Sequence, residues 1–299
     1  MASWQAHTVS FVLRHTFKRQ LAAAHDIGHV RSLMARIPQR PAAHVAFEPW
    51  GPSDRSGERV RHTLAPARHT MLYVHGGGFI ACSPVTHRPI TVAMARQGFD
   101  VLVPDYRLAP EHPFPQGLQD VWHAYADAVE HAGGASRLVL CGDSAGAGLV
   151  ISLLQRLRDA QLPLPAAAAL FSPFVDLTLR NPSLQANARR CAMFSPAVLE
   201  RAVGLYLPPH GESAQQASPL LAELQGLPPL LIHVGADETL RDDGTELATR
   251  AKAAGVNVEL RIWPGVPHAW PLFRHFIPEG RESLQQAATF LHRHARSTP

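Results

Sequence analysis

From Thr70 onward, short apolar runs alternate with longer helical patterns, and this alternation constrains the fold more than any other feature of the chain. Met71–Val74 reads as a buried strand ending at a glycine cluster, and Val101–Val103 as another stopped by Pro104. Arg137–Cys141 runs into Gly142, Ala166–Phe171 into Ser172-Pro173, Leu230–Val234 into Gly235, and Val256–Trp263 into Pro264-Gly265. Helix-length segments lie between and after them, at His87–Gln97, Gln116–His131, Ala145–Arg158, Asp242–Ala254 and Glu282–Arg296. The pattern predicts an α/β fold, a mostly parallel central sheet flanked by helices. In such sheets reactive groups gather just past the carboxyl ends of the strands. Chemistry is therefore to be sought there.

Two segments stand outside the alternation. Residues 1 to about 40 form an amphipathic helical stretch closed by Pro38 and Pro41, and Leu177–Leu207 is Pro-punctuated helix. Neither is long enough to be a domain. The expected organisation is one domain over 1–299, with a helical cap from about 1–45 and 177–210 over a core of about 46–176 and 211–299.

The balance of 46% hydrophobic to 17% charged residues suits a globular chain with a large core. The net charge of +4 comes almost entirely from scattered Arg, with nothing longer than pairs such as Arg189-Arg190. A nucleic-acid binder would concentrate basic residues in a stripe, so no nucleic-acid partner is expected. The 18 His include no H-E-x-x-H and the Cys no C-x-x-C, so neither metal nor cofactor is expected. Cys82, Cys141 and Cys191 are too few and scattered for a disulfide framework, and Cys141, inside an apolar run, reads as a small hydrophobe. The apolar stretch around Val9–Leu13 is short and precedes its charges, the reverse of a secretory leader. No run approaches the roughly 20 apolar residues of a membrane span. A cytoplasmic protein without stable membrane insertion is expected, and a homodimer is left open.

Gly142-Asp-Ser-Ala-Gly146 matches G-x-S-x-G between a predicted strand and an apolar helix. Glycines flanking Ser144 permit a tight strand-to-helix turn that holds its Oγ above the sheet, where the helix N-terminus favours nearby negative charge. His75-Gly-Gly-Gly-Phe79 follows an earlier strand. Consecutive glycines let backbone N–H groups point together, as stabilisation of a tetrahedral oxyanion requires. A phosphate-binding loop would want a nearby Lys, and none is present.

A serine nucleophile needs an acid and a base, in the order Ser…Asp…His. Asp237 lies two residues past the Leu230–Val234 run, and His268 past Val256–Trp263. His233, inside a strand, reads as a packed core histidine, and His275, His292 and His294 fall on or near the last helix. Asp242 and Asp243 read as carboxylates at a helix N-terminus. The expected triad is Ser144, Asp237 and His268.

The chain resembles the hormone-sensitive lipase family of α/β-hydrolases, the bacterial type IV esterases. The resemblance rests on HGGGF at 75–79, Tyr106–Pro115, GDSAG at 142–146, Ser218–Leu220, Leu227–Pro229, the Asp237 turn and His268, and spans about 70–295. It implies the α/β-hydrolase fold, oxyanion donors from the amides of Gly77, Gly78 and Ala145, and a lid built from the N-terminal stretch and the insertion after Phe171. It implies a small-molecule ester as substrate, with short to medium acyl chains preferred; lactones and acetylated metabolites are the alternatives. The family's Asp-Pro-Leu is replaced by Asp237-Glu-Thr-Leu240. A non-catalytic small-molecule receptor on the same fold is the other functional class, but such receptors lack a triad member. The first 45 or so residues match no motif.

Overall fold

The computed structural model describes residues 2–51, 57–208 and 213–295. Its sheet holds β1 (Val45–Pro49), β2 (Gly57–His62), β3 (His69–Val74), β4 (Phe99–Pro104), β5 (Leu138–Asp143), β6 (Ala168–Phe171), β7 (Leu230–Gly235) and β8 (Val258–Trp263). These eight strands run in the order β1-β2-β4-β3-β5-β6-β7-β8. From β4 to β8 every neighbour is parallel, while β1 and β2 add an antiparallel edge. β3 to β7 are buried throughout, as parallel strands covered on both faces must be. This is the expected α/β-hydrolase architecture.

The helices are α1 (Trp4–His15), α2 (Phe17–Ala23), α3 (Ile27–Met34), α4 (Arg88–Arg96), α5 (Gln116–Ala132), α6 (Ser144–Asp159), α7 (Ser183–Ala186), α8 (Pro196–Tyr206), α9 (Arg241–Ala253) and α10 (Pro278–His294). α4, α5, α6, α9 and α10 match the expected helical segments, with two boundary differences at the C-terminal end of the chain. α10 starts four residues before Glu282 because Pro278 occupies a first-turn position, where a missing N–H costs nothing. β8 starts at Val258, because the Val256 amide is spent closing the end of α9 on the Ala251 carbonyl. Arg296 and the expected cap–core boundary near 210 lie outside the described residues.

The N-terminal stretch folds as three short helices, and residues 177–207 contribute α7 and α8. Cations tie these segments together and to the core through main-chain oxygens. Lys18 donates to the carbonyls of Ala188 and Cys191, and Arg14 to that of Arg190. Arg201 of α8 donates to Leu21 and Ala24, at the end of α2. Arg31 of α3 reaches the carbonyls of Ile80 and Ala109 and also pairs with Glu111. Burial, and to a smaller extent the nearby Arg14 charge, hold the Lys18 pKa below the ordinary lysine value against the opposing pull of Cys191. Among the described residues no helix is long and apolar enough to cross a membrane.

The core also holds a neutral histidine. His233 on β7 packs among Phe171, Trp263 and Trp270 and meets Ser283 Oγ at 2.9 Å through Nδ1. Burial pushes its pKa down to about 3. An unfolded chain protonates the same ring near 6.5, so the stability gained above that pH is lost progressively as pH falls toward 3. His233→Gln is therefore expected to lower the melting temperature at pH 7.5 and to flatten its decline between pH 6.5 and 4. Parallel melting curves for the two proteins across that range would show that His233 does not contribute to the acid sensitivity.

Candidate active site

Ser144 is the first residue of α6, directly after β5, and its φ of 51° lies in the left-handed region that a side chain rarely adopts. The turn is possible because Gly146 lets the backbone pass close by: a Cβ there would sit 2.1 Å from the Val74 carbonyl oxygen. Strain of this kind persists only where surrounding structure enforces it. The result is a serine, 7% exposed, that lines a cavity over the strand ends.

The loop after β3 borders the same cavity through Gly77 and Gly78. Gly77 has φ 124°, and a Cβ on it would collide with the Ala81 carbonyl at 2.1 Å, so the residue can only be glycine. That loop is anchored from below by Asp143, the residue before Ser144. Its carboxylate accepts from Tyr73 Oη at 2.6 Å, from the Gly76 amide at 3.0 Å and from His87 Nε2 at 3.3 Å. Burial alone would raise the Asp143 pKa, but the His87 charge and these three donors outweigh it and hold the carboxyl below its ordinary range. One buried carboxylate thus couples the serine turn to the glycine loop. Ala145, second residue of α6, has an amide with no intrahelical acceptor, as at any helix start. His75, stacked on Tyr106, is pushed down to about 3 by burial and stays neutral.

His268 follows β8, is 3% exposed and lines the cavity with Ser144. Its Nδ1 lies 2.6 Å from Oε2 of Glu238, itself 1% exposed. The other oxygen, Oε1, accepts from the Gly235 amide at 2.6 Å and from Ser172 Oγ at 2.8 Å. Asn187 Nδ2 holds the backbone of the same turn through the carbonyls of Glu238 and Ala236. His268 Nε2 is buried and has no hydrogen-bond partner among the described residues. Its bond to Ser144 Oγ is not closed, and such bonds often tighten only when substrate binds.

The acid expected at Asp237 is corrected by this geometry. Asp237 is half-buried on the turn after β7, and it is Glu238 that reaches His268. The Gly235 amide captures the Glu238 side chain back across the turn. A signal was available in the register. In Asp-Pro-Leu the acid stands two residues before Leu, and two before Leu240 stands Glu238. Ser172, which bridges Glu238 and the Ala269 amide, carried no sequence signal beyond its place at a strand end. The rivals separate cleanly: Asp242 accepts from the Ser183 amide, and Asp243 from the amides of Val175 and Asp176. Both sit in the first turn of α9.

With a strand–serine–helix turn, a glycine loop and a buried His–Glu pair around one cavity, comparison with known proteins is informative. A family model described as alpha/beta hydrolase fold matches residues 71–272. The solved structure of an esterase from the bacterial hormone-sensitive lipase family is 36% identical, with a TM-score of 0.88 over 99% of this chain and 100% of that one. This chain belongs to that family. A mutant of the esterase E40 superposes with a TM-score of 0.91 at 37% identity, over 99% of this chain and 100% of the other. Among curated relatives, an acetyl-hydrolase of Streptomyces hygroscopicus is 39% identical over 85% of this chain and 89% of its own length. An esterase of Acinetobacter venetianus is 32% identical over 85% and 84%. Further curated relatives, from Mycobacterium tuberculosis, are named carboxylesterases, and this chain is a carboxylesterase.

Proposed function

We propose that the protein hydrolyses carboxylic esters of short to medium acyl chain through an acyl-enzyme, with Ser144 as nucleophile, His268 as base and Glu238 as the acid that orients it. The observation that carries this reading is the 2.6 Å contact between His268 Nδ1 and Glu238, with Nε2 of the same ring beside the Ser144 cavity. A carboxylate on Nδ1 fixes the tautomer in which Nε2 is free to take the Ser144 proton, and stabilises the imidazolium that results. Ser144 Oγ then bonds the ester carbon. The amides of Gly77, Gly78 and Ala145 meet the oxyanion, each such donor typically contributing about 3 kcal/mol. Protonated Nε2 gives its proton to the departing alcohol oxygen as the carbon–oxygen bond breaks, and water enters by the same route to release the acid.

Helices α1 to α3 and the 177–208 segment act as the cap in this proposal. Leu13, Phe17, Leu33 and Ile37 come from the N-terminal side of the chain, and all line the cavity that holds Ser144. The ester is sealed under an apolar roof, which strengthens every hydrogen bond made to the oxyanion. The Streptomyces relative is named an acetyl-hydrolase, in keeping with the short end of the acyl range.

The test is a kcat/KM series over p-nitrophenyl esters from two to twelve acyl carbons, with pre-steady-state kinetics. A burst of one p-nitrophenol per chain and a fall in kcat/KM beyond about eight carbons are expected. Absence of both the burst and fluorophosphonate labelling would defeat the acyl-enzyme reading.

A further inference from the structure

The surplus charge of the chain sits at one end of it. Residues 1–44 hold six of the 28 Lys and Arg but one of the 24 Asp and Glu, a larger surplus than the +4 of the whole chain. That one acid, Asp26, is occupied as the cap of α3. The same stretch bears the most exposed large apolar side chain among the described residues, Trp4 at 73%, with Phe11 at 59% and Val12 at 49%. Ala6 and Ser10 form the buried side of α1, while Trp4, His7, Thr8, Phe11, Val12 and His15 face solvent. Their spacing is that of a single helix face.

A further exposed ring and more cations stand near the start of α1. Ser3 donates its amide and hydroxyl to Glu279, which ties α1 to the start of α10, three residues past the exposed Phe276. Arg40 lies over the Phe276 ring, 5.4 Å from its centroid. Arg281 donates to the Arg274 carbonyl, Arg274 to His275 Nε2, and Arg96 to the Ala43 carbonyl. None of these four arginines meets a carboxylate among the described residues. Burial first, and then the charges of Arg96 and Arg281, hold the Arg274 pKa below the ordinary arginine value.

Cations without acid partners around exposed rings fit a surface that is negative and apolar at once. An anionic bilayer offers both. Each Lys or Arg near it is worth roughly fivefold in partitioning, and Trp and Phe bury their rings at the headgroup level. A second copy of the chain fits badly, because a twofold interface sets the same patch against itself and so cation against cation.

We infer that the outward face of α1, with Phe276 and the arginines around it, is a peripheral dock for an anionic lipid surface. The protein lies on the bilayer there without crossing it, since no helix among the described residues is long and apolar enough to span. The dock goes beyond the catalytic reading and needs none of its roles: Trp4, Phe11, Val12 and Phe276 do not line the Ser144 cavity.

Co-sedimentation of the full chain with vesicles tests it, using phosphatidylcholine alone or with about 30% phosphatidylglycerol. Partitioning onto the anionic vesicles is expected to be at least about tenfold stronger, and to fall about tenfold between about 50 and about 500 mM NaCl. Trp4→Ser/Phe11→Ser, which changes exposed positions only, should weaken it about tenfold and leave the rate on soluble p-nitrophenyl acetate unchanged. Arg40→Glu/Arg281→Glu should remove most of the preference for the anionic lipid. Equal partitioning of the wild-type protein onto both vesicles, or none onto either, would overturn the dock, and that comparison needs no variant. Full binding by Trp4→Ser/Phe11→Ser would overturn it too. A dimer of the free protein that this variant dissolves, with no vesicle binding, would give the face to a second copy instead.

Discussion

Replacing Ser144 by alanine is expected to reduce kcat for ester hydrolysis by about 10⁶-fold, since loss of the nucleophile disables base and acid together. The fold should survive. Ser144 is held in place by its backbone turn, with the Phe174 amide bonded to its carbonyl at 3.0 Å, and its hydroxyl makes no hydrogen bond among the described residues. The melting temperature should therefore stay close to wild type while labelling by a fluorophosphonate disappears. Activity retained above about a thousandth of wild type would remove Ser144 from the mechanism.

Glu238→Gln should cost about 10⁴-fold in kcat, the loss found when the acid of such a triad is made an amide. The geometry says why. Oε1 accepts from the Gly235 amide and from Ser172, so the glutamine oxygen will take that position and its NH₂ will face His268. Nδ1 must then accept rather than donate, the proton moves to Nε2, and the ring can no longer receive the Ser144 proton. Asp237→Asn leaves this arrangement untouched and should change kcat by less than about twofold. Paired kcat measurements on the two variants check the assignment, and a crippled Asp237→Asn beside an active Glu238→Gln would reverse it.

The difference between those two adjacent carboxylates marks where sequence reading stops. The strands that carry the site, β3 and β5 to β8, announce themselves as apolar runs closed by Gly or Pro, and Ser144, Gly77, Gly78 and His268 lie where those runs end. Which side chain of a tight turn points inward is another matter. It depends on a single amide, that of Gly235, and its trace in the sequence is the two-residue spacing to Leu240, which apolar periodicity does not record. The edge strands β1 and β2 were invisible for a related reason. They are half-buried and charged, joined through Arg61–Glu48 and, to β4, through Arg59–Asp100, so their pairing is carried by polar contacts that leave no apolar run. Asp143 was legible as part of GDSAG, but its grip on Gly76 and His87 appears only when β3 and β5 lie side by side.

The attachment of the N-terminal helices has a consequence for what their sequence must specify. Lys18, Arg14, Arg31 and Arg201 all bond to main-chain oxygens, which every amino acid carries. These bonds place no demand on the side chains of the receiving positions, among them Ala188, Arg190, Cys191, Leu21 and Ile80; what constrains Cys191, Leu21 and Ile80 is their burial. Only the long cation at the other end is specified. A roof fastened in this way can exchange most of its inward-facing residues, and so reshape the cavity beneath, without unfastening itself. It also explains why the first 45 residues present no recognisable motif while forming much of the wall around the ester.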